Sequence, residues 1–266
     1  MTDTTSRTYK AVFFDLDGTL LPMDTLEFMR TYFGALGAYF AQLGYDPKVA
    51  LDGVQLGTKS MFAFDGKTTN EQRFWETFTP YMAERFGAGI DWEPLLERFY
   101  DEVFSGLADG LEADPRVAHV VDALREKGYR MVLATNPLFP PVATKHRLAW
   151  TGADPDAFER VTAYHNSRYA KPDPRYYEEN LQALGLAGED VLMVGNDPAE
   201  DFAACACGCD LYLITDYLVD RAALASGPQA IAALADHGAA CADLATTKHG
   251  SMEEFARFVE ALPAVR

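Results

Sequence analysis

Along this chain the apolar positions change period twice, and the changes divide it. From residue 111 onward, short apolar runs alternate with stretches of helical spacing. The runs at 129–134, 161–164, 191–194 and 211–214, with Ala11–Phe14 near the start, are bounded by turn residues. That is the pattern of strands covered on both faces. Between them, Asp114 precedes Pro115 as an N-cap precedes a proline at the first helical position. Val117, Val120, Val121 and Leu124 then make one apolar stripe ending near Gly128. Pro174 opens a similar segment through Leu181 and Leu184, closed by Gly185, and residues from 250 onward read as a final amphipathic helix. Strands alternating with helices predict an α/β fold, a Rossmann-like parallel sheet with right-handed crossovers.

Residues 22–110 break this alternation. Leu26, Met29, Phe33, Leu36, Phe40 and Leu43 recur at helical spacing, as do Phe74, Trp75, Phe78 and Met82, and no convincing strand intervenes. Such aromatic stripes predict helix cores rather than a cofactor box. An all-helical insert after the first strand suggests a cap domain over the carboxyl edge of the sheet, where open α/β sheets bind ligands. The expected organisation is therefore a core of 1–21 with 111–266 and a helical cap of 22–110. At 266 residues, a length above the usual domain size agrees with two units.

Charge narrows the partners. The chain carries 40 acidic against 23 basic side chains, a formal charge of −17, and no run of Lys and Arg longer than two. That field repels a nucleic-acid backbone, yet a few cations or a metal can invert its sign inside a cleft for a small anion. No apolar stretch is long enough to span a bilayer. The polar start, Met1 to Thr8, is followed by no long apolar region, so a cytoplasmic address is expected. Oligomeric state is not readable. The four cysteines (Cys205, Cys207, Cys209, Cys241) do not form a disulfide framework by spacing. The Cys-x-Cys-x-Cys run lacks metal-ligand spacing and is expected to be packed thiols.

The segment richest in chemistry is Val12-Phe13-Phe14-Asp15-Leu16-Asp17-Gly18-Thr19-Leu20. A strand runs into two acids at i and i+2, which in extended backbone share one face, and Gly18 permits a sharp exit. Carboxylates held together repel each other unless a proton or cation intervenes, and an oxygen-only donor set points to Mg²⁺. Further along, the strand at 129–134 ends in Thr135-Asn136-Pro137. Lys171-Pro172-Asp173-Pro174 follows the next strand, and 191–194 ends in Gly195-Asn196-Asp197-Pro198-Ala199-Glu200-Asp201. Parallel strands deliver all of these to one edge of the sheet.

In this order, Asp15-Leu16-Asp17-Gly18-Thr19, Thr135, Lys171, and Asp197 with Asp201 resemble the four motifs of the haloacid dehalogenase superfamily. The helical insert resembles that family's C1 cap, as in its phosphoglycolate-phosphatase-like members. The resemblance covers the whole chain and implies a Mg²⁺-dependent phosphatase for a small phosphorylated metabolite. It implies Asp15 as a nucleophile that becomes an aspartyl-phosphate, and Asp17 as the acid/base. Thr135, Asn136 and Lys171 would bind the phosphoryl group, and Asp15, Asp17, Asp197 and Asp201 the metal. One departure stands out: Asn196-Asp197 occupies the place of a Gly-Asp pair, so the alignment there admits a shift of one residue. Asp17 favours phosphoryl transfer over dehalogenation, because a halide leaving group needs no acid. A sugar-phosphate phosphomutase of the same superfamily, and a non-catalytic binding module on this fold, stay open as alternatives.

The remaining features read as structural. Gly53-Val54-Gln55-Leu56-Gly57-Thr58-Lys59-Ser60 has the wrong spacing for a phosphate loop and is expected to be a cap loop or helix start. His119 and His146 fall inside helical patterns, as surface or capped core positions. Arg30, Lys59, Arg73 and Arg85 are weighed as contacts to a second anionic group of the substrate against plain solvated helix faces.

Overall fold

The computed structural model describes residues 8–219 and 247–265. Six parallel strands form one sheet: β1 (Ala11–Phe14), β2 (Arg130–Leu133), β3 (Arg160–Val161), β4 (Val191–Gly195), β5 (Asp210–Ile214) and β6 (Lys248–Gly250). Their order is β3-β2-β1-β4-β5-β6, which puts β1 among the innermost strands. Side chains alternate across β1 as a two-residue period requires. Val12 and Phe14 join an apolar layer with the helices α5 (Pro115–Glu126) and α9 (Met252–Ala261). Ala11 and Phe13 join the opposite layer with α7 (Pro174–Leu184) and the 3-10 turn Phe202–Cys207. The result is the α/β fold that the alternation predicts.

Local sequence accounts for the helix ends. Asp114 caps α5 by accepting from the Arg116 N–H, and Val117, Val120, Val121 and Leu124 are all buried. Asp173 caps α7 in the same way, and Gly185 ends it. Ser251 and Glu254 form a capping box at the start of α9. Gly250, where the helix is expected to begin, instead closes the short strand β6, and the helix starts at Met252.

The strand expected at 161–164 is shorter and earlier. The chain leaves the ladder after Val161 because the Thr162 hydroxyl donates to the carbonyls of Leu133 and Thr135, at 3.1 and 2.7 Å. Cys205 is disulfide-bonded, which corrects the reading of the whole cysteine run as packed thiols. Cys207 and Cys209 carry no disulfide, and Cys209 is buried. Cys241 lies outside the described residues.

Between β1 and α5 the described chain forms only helical elements: α1 (Thr25–Gln42), α2 (Pro47–Ser60), α3 (Asn70–Phe86), α4 (Glu93–Arg98), then a π-helical turn Phe99–Val103 and a 3-10 turn Phe104–Ala108. The buried face of α1 is Phe28, Tyr32, Leu36, Tyr39 and Phe40. Leu36 and Phe40 of the expected stripe are on this face, and Met29, Phe33 and Leu43 pack half-buried beside it. Gly53 to Ser60 form the second half of α2, so they are neither a loop nor a helix start, and Lys59 is exposed. Arg73 is buried, and donates to the carbonyls of Thr68 and Arg168 and to Asn70 Oδ1. Neither a solvated face nor a substrate contact describes it: its guanidinium ties α3 to the loop before α7. Among the described residues no helix is long and apolar enough to cross a membrane.

Candidate active site

Phe14 is in register with Leu133 on one side and Val194 on the other. Three neighbouring strands therefore end level, and the residues that follow them emerge at one carboxyl edge. The backbone stays paired across this exit: the Asp15 N–H donates to the Val194 carbonyl at 2.8 Å, and the Ala134 N–H to the Phe14 carbonyl at 2.7 Å.

At the centre is a buried ion triad. Lys171 is fully buried, and its Nζ donates to Asp15 Oδ1 at 2.8 Å and to Asp201 Oδ1 at 2.7 Å. Burial alone would lower the lysine pKa, but the two carboxylates hold it well above its ordinary value. Burial pushes Asp201 up to about 7 against the pull of Lys171, with Asp15 and Asp197 adding to the rise. The other Asp201 oxygen accepts from the Asp197 N–H at 3.0 Å. Gly195 makes this close fit possible, since a Cβ there would stand 2.0 Å from Asp201 Oδ2. Removing water from three charges is costly, so only a compensated set with filled hydrogen bonds survives burial.

Asp17 is the second carboxylate of the motif, within electrostatic reach of Asp15 and Lys171. Its Oδ2 accepts from Arg147 of α6 (Pro141–Trp150), while its Oδ1 is buried without a partner. Burial raises the Asp17 pKa from 3.8 to about 6, the Arg147 charge opposes the rise, and Asp15 adds to it. Thr135 is buried, and its carbonyl accepts from the hydroxyls of Tyr176 and Thr162 at 2.9 and 2.7 Å, which pins the turn after β2. Asn136 Nδ2 donates to Glu200 Oε2 at 3.1 Å, and its Oδ1 is buried without a partner.

The acids of the 195–201 turn do not all face the same way. Asp197 Oδ1 caps its own short helix, α8 (Pro198–Asp201), by accepting from the Ala199 N–H. Asn196, 1 % exposed, accepts at Oδ1 from Thr19 Oγ1 at 3.1 Å, and the same hydroxyl lies 3.4 Å from Asp15 Oδ2. Asn196 is thus the residue of this turn linked to Asp15 through Thr19. Gly18 allows its approach: φ is +81°, and a Cβ would fall 2.1 Å from Asn196 Nδ2. Among the described residues, no three His, Cys, Asp or Glu side chains are grouped as a metal site.

A family model described as haloacid dehalogenase-like hydrolase matches residues 9–208, from the start of β1 to the end of the turn after α8. The chain belongs to this family. It is 30 % identical to a phosphoglycolate phosphatase from Caulobacter vibrioides over 183 residues, 69 % of each chain. It is 28 % identical to haloacetate dehalogenase H-2 from Moraxella sp. over 107 residues, 40 % of this chain and 46 % of that protein. The match thus spans less than half of that dehalogenase. The crystal structure of a HAD phosphatase from Thermococcus onnurineus shares the fold, with a TM-score of 0.52 at 21 % identity over 96 % of this chain and all of that one.

Two residues of this hydrolase's site escaped the sequence reading. Arg147 is 1 % exposed and stacks over the Phe139 ring at 4.5 Å. A signal for it existed: Ala143, Thr144 and Leu148, the buried residues of α6, share its helical face. A charge on an apolar face demands a partner. Asn196 carried only the signal of its departure from the family pattern.

Proposed function

We propose that this hydrolase is a cytoplasmic phosphatase acting on phosphomonoesters of small metabolites, with residues 22–110 serving as the cap that selects them. The observation that carries the reading is Asp15, held at 2.8 Å by a fully buried lysine, with a second carboxylate two residues on. In the proposed reaction an Asp15 oxygen attacks phosphorus and the ester P–O bond breaks. Asp17 gives its proton to the departing oxygen. Water, deprotonated by Asp17, then cleaves the aspartyl-phosphate, which frees phosphate and regenerates Asp15. Covalent catalysis divides one hard step into two, and an acid with a pKa of about 6 can alternate between the two roles near neutral pH. Thr135, Asn136 and Lys171 would bind and neutralise the phosphoryl oxygens.

The residues fit a hard divalent cation. The candidate ligand atoms of Asp15, Asp17 and Asn196 are all oxygens, and Asp17 Oδ1 is a buried acceptor with no partner. Asp15, Asp17 and the amide oxygen of Asn196 would hold Mg²⁺, with Asp197 and Asp201 supporting them through the turn. When bound, the ion supplies charge neutralisation for an anionic nucleophile meeting an anionic ester. Relatives named for phosphoglycolate, pyrophosphate and hexitol phosphate chemistry support phosphoryl transfer. So does Asp17, since release of a halide needs no proton donor. With Mg²⁺, the purified protein is expected to release phosphate from p-nitrophenyl phosphate, and Asp15→Asn to abolish it. An unchanged rate in that variant removes Asp15 as nucleophile.

A further inference from the structure

None of the residues of the ion triad lines a cavity of about 460 Å³ between the helices of residues 25–108 and the loop that follows β2. That loop connects the two sites. Thr135 and Asn136 stand at its start, and Leu138, Pro140 and Pro141 form part of the cavity wall. Thr135 and Leu138 are three residues apart, so roughly 10 Å of chain joins them. Tyr32 and Tyr100 line the cavity with their hydroxyls 3.0 Å apart, and Tyr32 packs on Phe139 at 5.3 Å between ring centres. Phe139, covered by Arg147, thus links the cavity wall to Asp17.

Its lining has a definite chemistry. Five rings, Tyr32, Phe74, Trp75, Tyr100 and Tyr164, surround the space, and three carboxylates, Glu71, Glu93 and Glu97, join them. No lysine or arginine is among the lining residues, and His165 is the sole basic side chain there. Arg147 stands outside the lining: its Nη1 donates to Asp17, while its Nε and Nη2 are buried without a partner. Trp75 Nε1 is buried, and the Tyr164 hydroxyl interacts with both this N–H and Glu71. Aromatic faces with an adjacent carboxylate attract an organic ammonium, because ring quadrupole and anion both favour positive charge. Three carboxylates against one histidine in the lining disfavour a carboxylate there. The volume is within the range of ordinary small-ligand sites.

We infer that this cavity receives the non-phosphoryl end of the substrate, and that this end is an organic ammonium seated against Glu71 among the aromatic rings. The preferred substrates are then phosphate esters of amino alcohols rather than of hydroxy acids. This rests on the phosphatase reading and adds the substrate class to it.

The test compares three esters on the full-length protein with Mg²⁺: choline phosphate, its uncharged isostere 3,3-dimethylbutyl phosphate, and phosphoglycolate, with p-nitrophenyl phosphate as the reference. Choline phosphate is expected to exceed the isostere by roughly tenfold in kcat/KM, and phosphoglycolate by more. Glu71→Gln is expected to bring the ratio of the first two close to one. Tetramethylammonium is expected to compete with choline phosphate and to change tryptophan fluorescence through Trp75. Hydrolysis of p-nitrophenyl phosphate with no preference for the cation, or with phosphoglycolate preferred, overturns this inference and leaves the phosphatase reading standing. No phosphate release from any ester overturns the phosphatase reading itself. In that case saturable fluorescence change with choline, and none with 3,3-dimethylbutanol, still supports the ammonium site, and its absence overturns it.

Discussion

Arg147 and Asp17, 130 residues apart in the chain, form an ion pair in which the arginine side chain is 1 % exposed and the aspartate 21 %. Asp17 is the residue proposed to move the proton, so its charge is governed by a partner on a different element. Removing one member of a buried pair leaves the other uncompensated. Arg147→Met is expected to destabilise the protein by roughly 3 kcal/mol, the low end for such pairs because Asp17 retains some water. The double variant with Asp17→Asn is expected to recover much of that loss. Urea denaturation of the wild type, both single variants and the double variant measures the coupling. A double variant no more stable than Arg147→Met would contradict it.

The raised pKa of Asp17 sets a direction for stability against pH. In the unfolded chain this carboxyl has its ordinary value of 3.8, and in the fold burial lifts it to about 6. Between these values the folded state binds more protons, so the contribution of Asp17 to stability falls as pH rises through the window and levels off above about 6. Asp17→Asn removes that slope. The stability difference between variant and wild type is expected to move in the variant's favour from pH 4 to pH 6.5. A difference constant across this range would show that the carboxyl titrates normally.

Gly18 is the sharp exit that the motif needs. Gly18→Ala would strain the backbone at a φ of +81° and drive a methyl into Asn196. The expected loss is roughly 1–3 kcal/mol, with activity reduced further because Asn196 and Thr19 are displaced from Asp15. Thermal unfolding and phosphate release on one preparation distinguish the two effects. A variant as stable and as active as wild type would remove the steric argument.

The turn at 195–201 makes a prediction about which residue meets the metal. If Asn196 is the one directed toward Asp15, Asn196→Ala should raise the Mg²⁺ concentration for half-maximal activity by roughly tenfold or more. Asp197→Ala should mainly cost a helix cap, about 1 kcal/mol. Chelation by EDTA should stop phosphate release from the wild type, and added Mg²⁺ should restore it. Magnesium titrations of both variants decide between the two positions, and a larger shift for Asp197→Ala would reverse the assignment.

What the chain's linear order determined was local in origin. The strand Ala11–Phe14, the caps at Asp114 and Asp173, and the stripe on α5 follow from period, turn residues and capping side chains within a few positions of one another. Parallel topology then carried Asp15, Thr135 and the turn at 195–201 to a common edge, so these were legible once their strands were. The tertiary structure alone decided the rest. Arg147 reaches Asp17 across two elements, and its role depends on α6 packing that charge inward. Asn196 rather than Asp197 turns to Thr19 because Asp197 is taken up by capping α8. The aromatic cavity exists only where helices far apart in sequence meet the loop after β2. Burial and long-range charge pairing are properties of the packed chain, and no window of sequence contains both partners.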